Sequence, residues 1–414
     1  MTQLNPNIRE FLNSEGSDKP LKSPVPHETL LKARRYRTNR VREQLVKNDC
    51  AAILLYDPVN IRYAFDCSNM QVWTANNPVR YALIFADGPG IMFEFKSCEH
   101  LCENIEAIDE IRIAKSWVFM GAGDRVSEFC ANWADEITDL IKQHGGGNTR
   151  LAVDRMEPEG MAALQQRGME IVEGGQINAV ARSIKSAEEL ELMRWTIRVC
   201  EAGVARIYEH SVPGATEQEL WAHLHFENAR SGGDWLETKL LTCGPNTNPW
   251  YKECSDRECK EGEMISLDTD MIGPYGYCAD ISRAWTCGHV PMNSKQKEIY
   301  SAALDQIDHN MDIIKDGVSF AEFNEKSWKI PEKYLSYRYS LAAHGVGMAD
   351  EWPVVLLSPD FEGNHGGKFE TNMVICVESL IAEEGSESIK LETQVLVTEN
   401  GVERLDSFPW EIVD

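Results

Sequence analysis

Five acids and one histidine interrupt apolar stretches in the second half of this 414-residue chain, and their spacing could hold a metal ion. The run Met264-Ile-Ser-Leu-Asp-Thr-Asp-Met-Ile272 is broken by Asp268 and Asp270, at i and i+2. On a strand both would face one side of the sheet. Gly273-Pro-Tyr-Gly276 has turn chemistry, and the chain returns through Tyr277-Cys-Ala-Asp-Ile-Ser-Arg-Ala-Trp285. A hairpin about this turn sets Asp280 roughly opposite the first two acids. Three carboxylates crowded in apolar surroundings repel one another unless a cation neutralises them. Met373-Val-Ile-Cys-Val-Glu378 and Ile389-Lys-Leu-Glu392-Thr-Gln-Val-Leu-Val397 predict a second hairpin around the acidic loop Glu383 to Glu387. Its strands are interrupted by Glu378 and Glu392. Between the hairpins, His344 lies in Ala342-Ala-His344-Gly-Val-Gly347, a glycine-rich loop that would let an imidazole approach a metal. Oxygen ligands with one imidazole suit one or two ions of hard to borderline character, such as iron, manganese, cobalt or zinc. A single Asp pair is commonly an edge feature and a single histidine a satisfied core group. The combination in one half of the chain points to a metal centre.

Such ligands need a scaffold. Residues 1–26 read as an irregular arm. Residues 27–185 read as an α/β domain, with a basic helix from Glu28 to Lys47 and a second helix from Arg125 to Gln143 that ends near Gly145-Gly-Gly147. Ala51–Tyr56, Tyr81–Phe85, Ile91–Phe95 and Leu151–Val153 read as its strands. Residues 186–414 open with Ser186-Ala-Glu-Glu189, a capping box. Leu190, Met193, Ile197, Cys200, Val204 and Ile207 follow as one apolar helical stripe. Thr216-Glu-Gln-Glu219 starts another helix, which stops at Gly232-Gly233, and the pattern then turns β-rich. The expected class is α+β.

Length alone suggests two or three domains at roughly 150 residues each. Apolar residues at 43% and charged residues at 26% exclude a mostly disordered chain. Lys and Arg number 41 against 66 Asp and Glu, a net charge of −25. That excludes a nucleic-acid partner, which needs a basic footprint, and disfavours an anionic membrane surface. It is compatible with a small cationic or zwitterionic substrate. No apolar run approaches the roughly 18 residues of a spanning helix. Met1 to Pro26 is polar and lacks a secretion signal, so a cytoplasmic location is expected. The twelve cysteines contain no CxxC pair, and Cys254 and Cys259 lack zinc-ligand spacing. They are expected to be mostly small buried hydrophobes in a reducing compartment.

The ligand order Asp…Asp…His…Glu…Glu resembles that of the pita-bread metallopeptidase superfamily, which includes methionine aminopeptidase, prolidase and creatinase. Arg182-Ser-Ile-Lys-Ser-Ala-Glu-Glu-Leu190 resembles the start of its catalytic domain. Within the superfamily the chain looks closer to the DddP-type dimethylsulfoniopropionate lyases. Tyr56-Asp-Pro-Val-Asn-Ile-Arg-Tyr63, Asn69-Met-Gln-Val-Trp73, Gly147-Asn-Thr-Arg-Leu-Ala-Val-Asp154 and Asn246-Thr-Asn-Pro-Trp-Tyr-Lys-Glu253 resemble that family. So do Leu267-Asp-Thr-Asp270, Tyr275-Gly-Tyr-Cys-Ala-Asp-Ile-Ser-Arg283 and His344-Gly-Val-Gly-Met-Ala-Asp-Glu-Trp-Pro353. The resemblance implies a creatinase-like N-terminal domain and a pita-bread catalytic domain. It implies Asp268, Asp270, Asp280, His344, Glu378 and Glu392 as metal ligands, for one or two ions, iron before zinc, manganese or cobalt. It also implies a homodimer in which one subunit's N-terminal domain closes the other's site.

Two departures separate the chain from the peptidases. Trp250 and the pair Asp350-Glu351 stand where peptidases carry histidines that assist amide chemistry. The interval from Asp268 to Asp280 exceeds the usual one by a residue, with Asp270 as an added acid. The resemblance therefore implies a carbon-sulfur lyase with Asp350 as base. A sulfonium substrate favours aromatic faces, and Tyr339, Trp250, Tyr251 and Trp352 lie beside the motifs. The alternatives are an Xaa-Pro-type metallopeptidase, a lyase acting on a related sulfonium or betaine acid, and a catalytically silent binding module.

Overall fold

Short apolar runs in the first half of the chain become strands covered on both faces, as the centre of a sandwiched sheet requires. They belong to the first of two units into which the computed structural model divides, His27–Arg182; the second is Ser183–Asp414 with the residues ahead of His27. Residues 20–357 and 366–411 are described. Of the arm expected over 1–26, residues 1–19 lie outside the described residues, and 20–26 run without regular structure.

In the first unit, β1 (Ala52–Leu55), β2 (Tyr81–Phe85), β3 (Gly90–Glu94), β4 (Glu110–Ile113), β5 (Arg150–Val153) and β6 (Glu170–Glu173) form one mixed sheet, ordered β4-β3-β2-β1-β5-β6. Its helices are α1 (His27–Lys47), α2 (Pro58–Phe65), α3 (Gln71–Asn76), α4 (Phe119–Ala122), α5 (Val126–His144), α6 (Pro158–Gln166) and α7 (Gly175–Ser183), the last running to the division between units. Cys130, Trp133, Ile137, Leu140 and Ile141 recur at helical spacing on α5 and bury against Tyr81 and Phe93 of the sheet. Helix α2 starts where it does because Pro58 presets its first turn and the Asp57 carboxylate accepts the Val59 and Asn60 N–H groups. Its end is marked by Asp66, ringed by Arg34 at 2.8 Å, Arg62 at 3.2 Å and Arg37 at 3.3 Å. Burial would raise the Asp66 pKa, but the arginines outweigh it and hold it below its usual value.

The second unit opens with α8 (Ala187–His210) and α9 (Glu217–Arg230), where the sequence places both helix starts; each begins with a capping box, the first of them read as such from the sequence. Helices α10 (Ser294–Ile313) and α11 (Phe320–Lys326) follow later. Strands β7 (Trp235–Leu236), β8 (Leu241–Cys243), β9 (Met264–Asp268), β10 (Met271–Ile272), β11 (Cys278–Ala279) and β12 (Ser282–Thr286) make two three-stranded sheets, β11-β10-β7 and β12-β9-β8. Strands β13 (Leu341–Val346), β14 (Asp350–Leu356), β15 (Val374–Ile381), β16 (Ile389–Val397) and β17 (Val402–Arg404) make an antiparallel five-stranded sheet, ordered β14-β13-β15-β16-β17. The α+β class read from the sequence is the observed one.

Three local expectations are corrected. The continuous strands expected over Met264–Ile272 and Tyr277–Trp285 are each broken, at 269–270 and 280–281, so the hairpin is shared between two sheets. The Thr269 hydroxyl replaces the lost ladder, donating to Ala279 O at 2.9 Å and accepting from Ile281 N at 3.0 Å. Asp270 takes a left-handed φ of 35° there, a conformation in which Asp is enriched. His344 is not in a loop; it lies inside β13, beside a register shift. Finally, ten cysteines are free thiols, but Cys243 and Cys259 form a disulfide. They meet because Glu217 ties down both arms of the intervening loop, accepting from Cys243 N and Ser255 N at 2.9 Å each. Among the described residues no helix is long and apolar enough to cross a membrane.

Candidate metal centre

Strand register brings the expected ligands together. Glu378 on β15 stands directly opposite Glu392 on β16, and His344 on β13 stands opposite Cys376, two residues before Glu378. On the other hairpin, Asp268 pairs with Ser282, and the breaks place Asp270 and Asp280 beside them. All six expected ligands are buried. Ligating atoms of Asp268, Asp270 and Asp280 lie within 4.8 Å of one another. The same holds for Asp268, Glu378 and Glu392, and for Asp280, His344, Cys376 and Glu392.

The carboxylates divide their oxygens between two positions. Around His344 Nε2 lie Glu378 Oε1 and Glu392 Oε1, both at 3.2 Å, and Asp280 Oδ2 at 3.5 Å. His344 Nδ1 is 3.0 Å from Gly345 O, which suits a proton on Nδ1 and a lone pair on Nε2 for a metal. Around Lys390 Nζ lie Glu378 Oε2, Glu392 Oε2 and Ser282 Oγ at 2.8 Å, and Asp268 Oδ2 at 3.1 Å. Lys390 is fully buried. The reading of the sequence passed over it, although the argument that singled out Glu392 applies equally to a charge two residues earlier on the same apolar strand. Ser282 and Cys376 were also missed; neither residue type is unusual inside a strand.

The electrostatics report a shortage of positive charge. Burial pushes the Asp268 carboxyl up to about 7, against the pull of Lys390. Burial, then neighbouring acids, raises Asp270 and Asp280 well above their usual range. Glu392 goes the other way: burial opposes ionisation, but Lys390 and His344 hold its pKa below the usual value. Burial disfavours charge on His344 too, yet the Cys376 and Asp350 groups around it raise its pKa well above normal. Glu378 Oε1 is buried and accepts no hydrogen bond. An orphaned carboxyl oxygen among acids kept from ionising fits a multiply charged cation in the His344 position.

Asp350 stands at the edge of this cluster, at the start of β14. Its Oδ1 is 3.7 Å from His344 Nδ1, and its side chain is 47% exposed, so it faces both the acids and solvent. Burial raises its pKa, partly offset by His344. Glu351 points the other way and pairs with buried Lys185. Of the four expected aromatics, Tyr339 and Tyr251 pair at 5.6 Å between ring centroids, and Lys390 Nζ lies 5.4 Å from the Tyr339 ring. Trp250, one residue before Tyr251, keeps a buried indole N–H without a hydrogen-bond partner. Trp352 packs edge-on to Phe320 at 5.6 Å, against the hydrophobic core.

Comparison with known proteins gives this geometry a setting. The profile of metallopeptidase family M24 matches residues 191–399. The chain is 40% identical to the dimethylsulfoniopropionate lyase DddP of Roseovarius nubinhibens, over 92% of this chain and 87% of that protein. It is 39% identical to the DddP of Roseobacter denitrificans, over 91% of this chain and 86% of that one. Among solved structures, the Xaa-Pro dipeptidase from Bacillus anthracis superposes with a TM-score of 0.73 at 19% identity, covering 91% of this chain and 99% of that one. That likeness establishes the fold, and the pita-bread architecture expected from the motifs is present.

Proposed function

The chain belongs to metallopeptidase family M24 and, within it, to the DddP dimethylsulfoniopropionate lyases, and we propose that it cleaves dimethylsulfoniopropionate to dimethyl sulfide and acrylate by β-elimination. The structural observation that carries this reading is Asp350, a half-exposed carboxylate 3.7 Å from the histidine of a buried acid cluster, in a position fit for a base.

Asp268, Asp270, Asp280, His344, Glu378 and Glu392 would hold the metal, one or two ions, with iron first and zinc, manganese or cobalt as alternatives. When bound, it supplies Lewis acidity toward the substrate carboxylate and so acidifies the neighbouring C–H. Asp350 takes the proton from the carbon next to the carboxylate. That C–H electron pair forms the new C=C bond, and the C–S bond breaks with its pair going to sulfur. Dimethyl sulfide leaves as a neutral molecule, and no water is consumed. Burial helps by raising the basicity of Asp350. Tyr339, Tyr251 and Trp250 offer aromatic faces to the sulfonium cation. Trp352, packed on Phe320, supports the strand that carries Asp350.

A homodimer and a cytoplasmic location belong to the same proposal, checked by light scattering and by cell fractionation. The enzyme itself is tested by headspace detection of dimethyl sulfide from purified, metal-analysed protein given dimethylsulfoniopropionate. Ala-Pro and Met-Ala dipeptides serve as the comparison. Dipeptide turnover matching or exceeding sulfide release would replace the lyase with the Xaa-Pro peptidase reading.

A further inference from the structure

Strand parity places a thiol among the candidate ligands. Cys376 and Glu378 share one face of β15, and Cys376 stands directly across from His344 on β13. Cys376 is fully buried, its S–H directed to Asp280 O at 3.7 Å. One ligating atom each from Asp280, His344, Cys376 and Glu392 lies within 4.8 Å of the others. Bonds of about 2.0–2.3 Å to a first-row ion bring its ligands to that order of separation. A second observation marks a cation position beside the same histidine: Glu378 Oε1, buried and without a hydrogen-bond partner, lies 3.2 Å from His344 Nε2. The companion oxygen Oε2 is already engaged by Lys390 at 2.8 Å.

We propose that Cys376 supplies a sulfur ligand to an ion held by His344, Asp280 and Glu392. The inference shares with the lyase reading only the presence of an ion; it does not depend on the substrate. Binding exchanges the thiol proton for the metal: Cys–SH and M²⁺ give Cys–S–M⁺ and H⁺, with no change of oxidation state. One nitrogen, one sulfur and the oxygens of Asp280 and Glu392, with Glu378 Oε1 beside them, form a set of borderline softness. Such a set favours Fe²⁺, Co²⁺ or Zn²⁺ over Mn²⁺ and Mg²⁺, which prefer oxygen alone. Cys376 is thereby a specificity-determining residue for the metal.

Cobalt substitution reads this directly. The metal-stripped full-length chain, reloaded anaerobically with Co²⁺, should show a thiolate-to-cobalt charge-transfer band in the near ultraviolet. Cys376→Ser should still bind cobalt by elemental analysis but lose the band. Its preference for Co²⁺ over Mn²⁺ should fall by at least the roughly 10–100-fold typical of losing an outer partner. A cobalt-loaded wild type without the band, or a band unchanged in Cys376→Ser, would overturn the assignment. Should the variant fail to fold, X-ray absorption of the zinc-loaded wild type decides alone. A sulfur neighbour at about 2.3 Å supports the ligand, and a shell of nitrogen and oxygen only refutes it. Neither spectrum needs substrate, so absence of dimethyl sulfide release would sink the lyase reading and leave this one standing.

Discussion

Glu378 and Glu392 face each other across β15 and β16, and each turns one oxygen toward His344 Nε2 and the other to Lys390. Two carboxylates thus serve a metal position and a permanent ammonium at once. The acid cluster carries part of its counter-charge in its own sequence.

Lys390→Met tests that division. Removing the ammonium leaves three buried carboxylates without it, which should cost on the order of 3–5 kcal/mol in the metal-free protein. Metal supplies replacement charge, so the loss should shrink on loading. Thermal melts of both proteins, in chelator and with metal, measure the difference; equal losses in the two conditions would argue against a shared electrostatic role.

Metal uptake should release protons at pH 7. Asp268 is held at about 7, and Asp270 and Asp280 lie well above their usual range, so the metal-free centre carries protons that a metal must displace. The sign follows: apparent affinity falls as pH drops, by about tenfold per pH unit for each proton displaced. Calorimetric titration in two buffers of different ionisation enthalpy counts those protons. Buffer-independent heats would contradict the expectation.

Asp350→Asn keeps the shape of the side chain and removes its basicity. Turnover should fall by about 10²–10⁴, the usual scale for a general base, while metal content stays unchanged. A rate loss that tracks metal loss would instead make Asp350 part of the metal's support.

Asp66→Asn should destabilise the N-terminal unit by about 3–5 kcal/mol, because it removes a buried carboxylate that pairs with Arg34, Arg37 and Arg62. The native pKa of Asp66 is lowered, so its contribution is fully present above the ordinary aspartate value and is lost as pH falls through the native one. Urea unfolding at pH 7 and at about pH 2 should therefore show a larger penalty at pH 7.

Much of this was legible from residue pattern. Ser186 and Glu189, and Thr216 and Glu219, announce their helices because a capping box is local chemistry. All six expected ligands converge: strand alternation and cross-strand pairing account for Asp268, His344, Glu378 and Glu392, while Asp270 and Asp280 arrive through the strand breaks. The break at Thr269 was not legible: a threonine hydroxyl taking over backbone hydrogen bonds looks like any β-branched strand residue. Nor was the strand position of His344, because small flanking residues suggest a loop until neighbours covering both sides are known. Trp352 shows the same limit. Adjacency to a motif says nothing about facing it, and its ring went to Phe320.

The pairing of β15 with β16 also guards its own alignment. Lys390, Glu392 and Gln394 occupy one face of β16, while Ile389, Leu391 and Val395 fill the hydrophobic core on the other. A slip by one residue would turn a lysine and a glutamate into that core and send leucine toward the acids. Each misplaced charge would cost several kcal/mol. The centre therefore proofreads the sheet that builds it: a misaligned strand carries that cost with or without a metal.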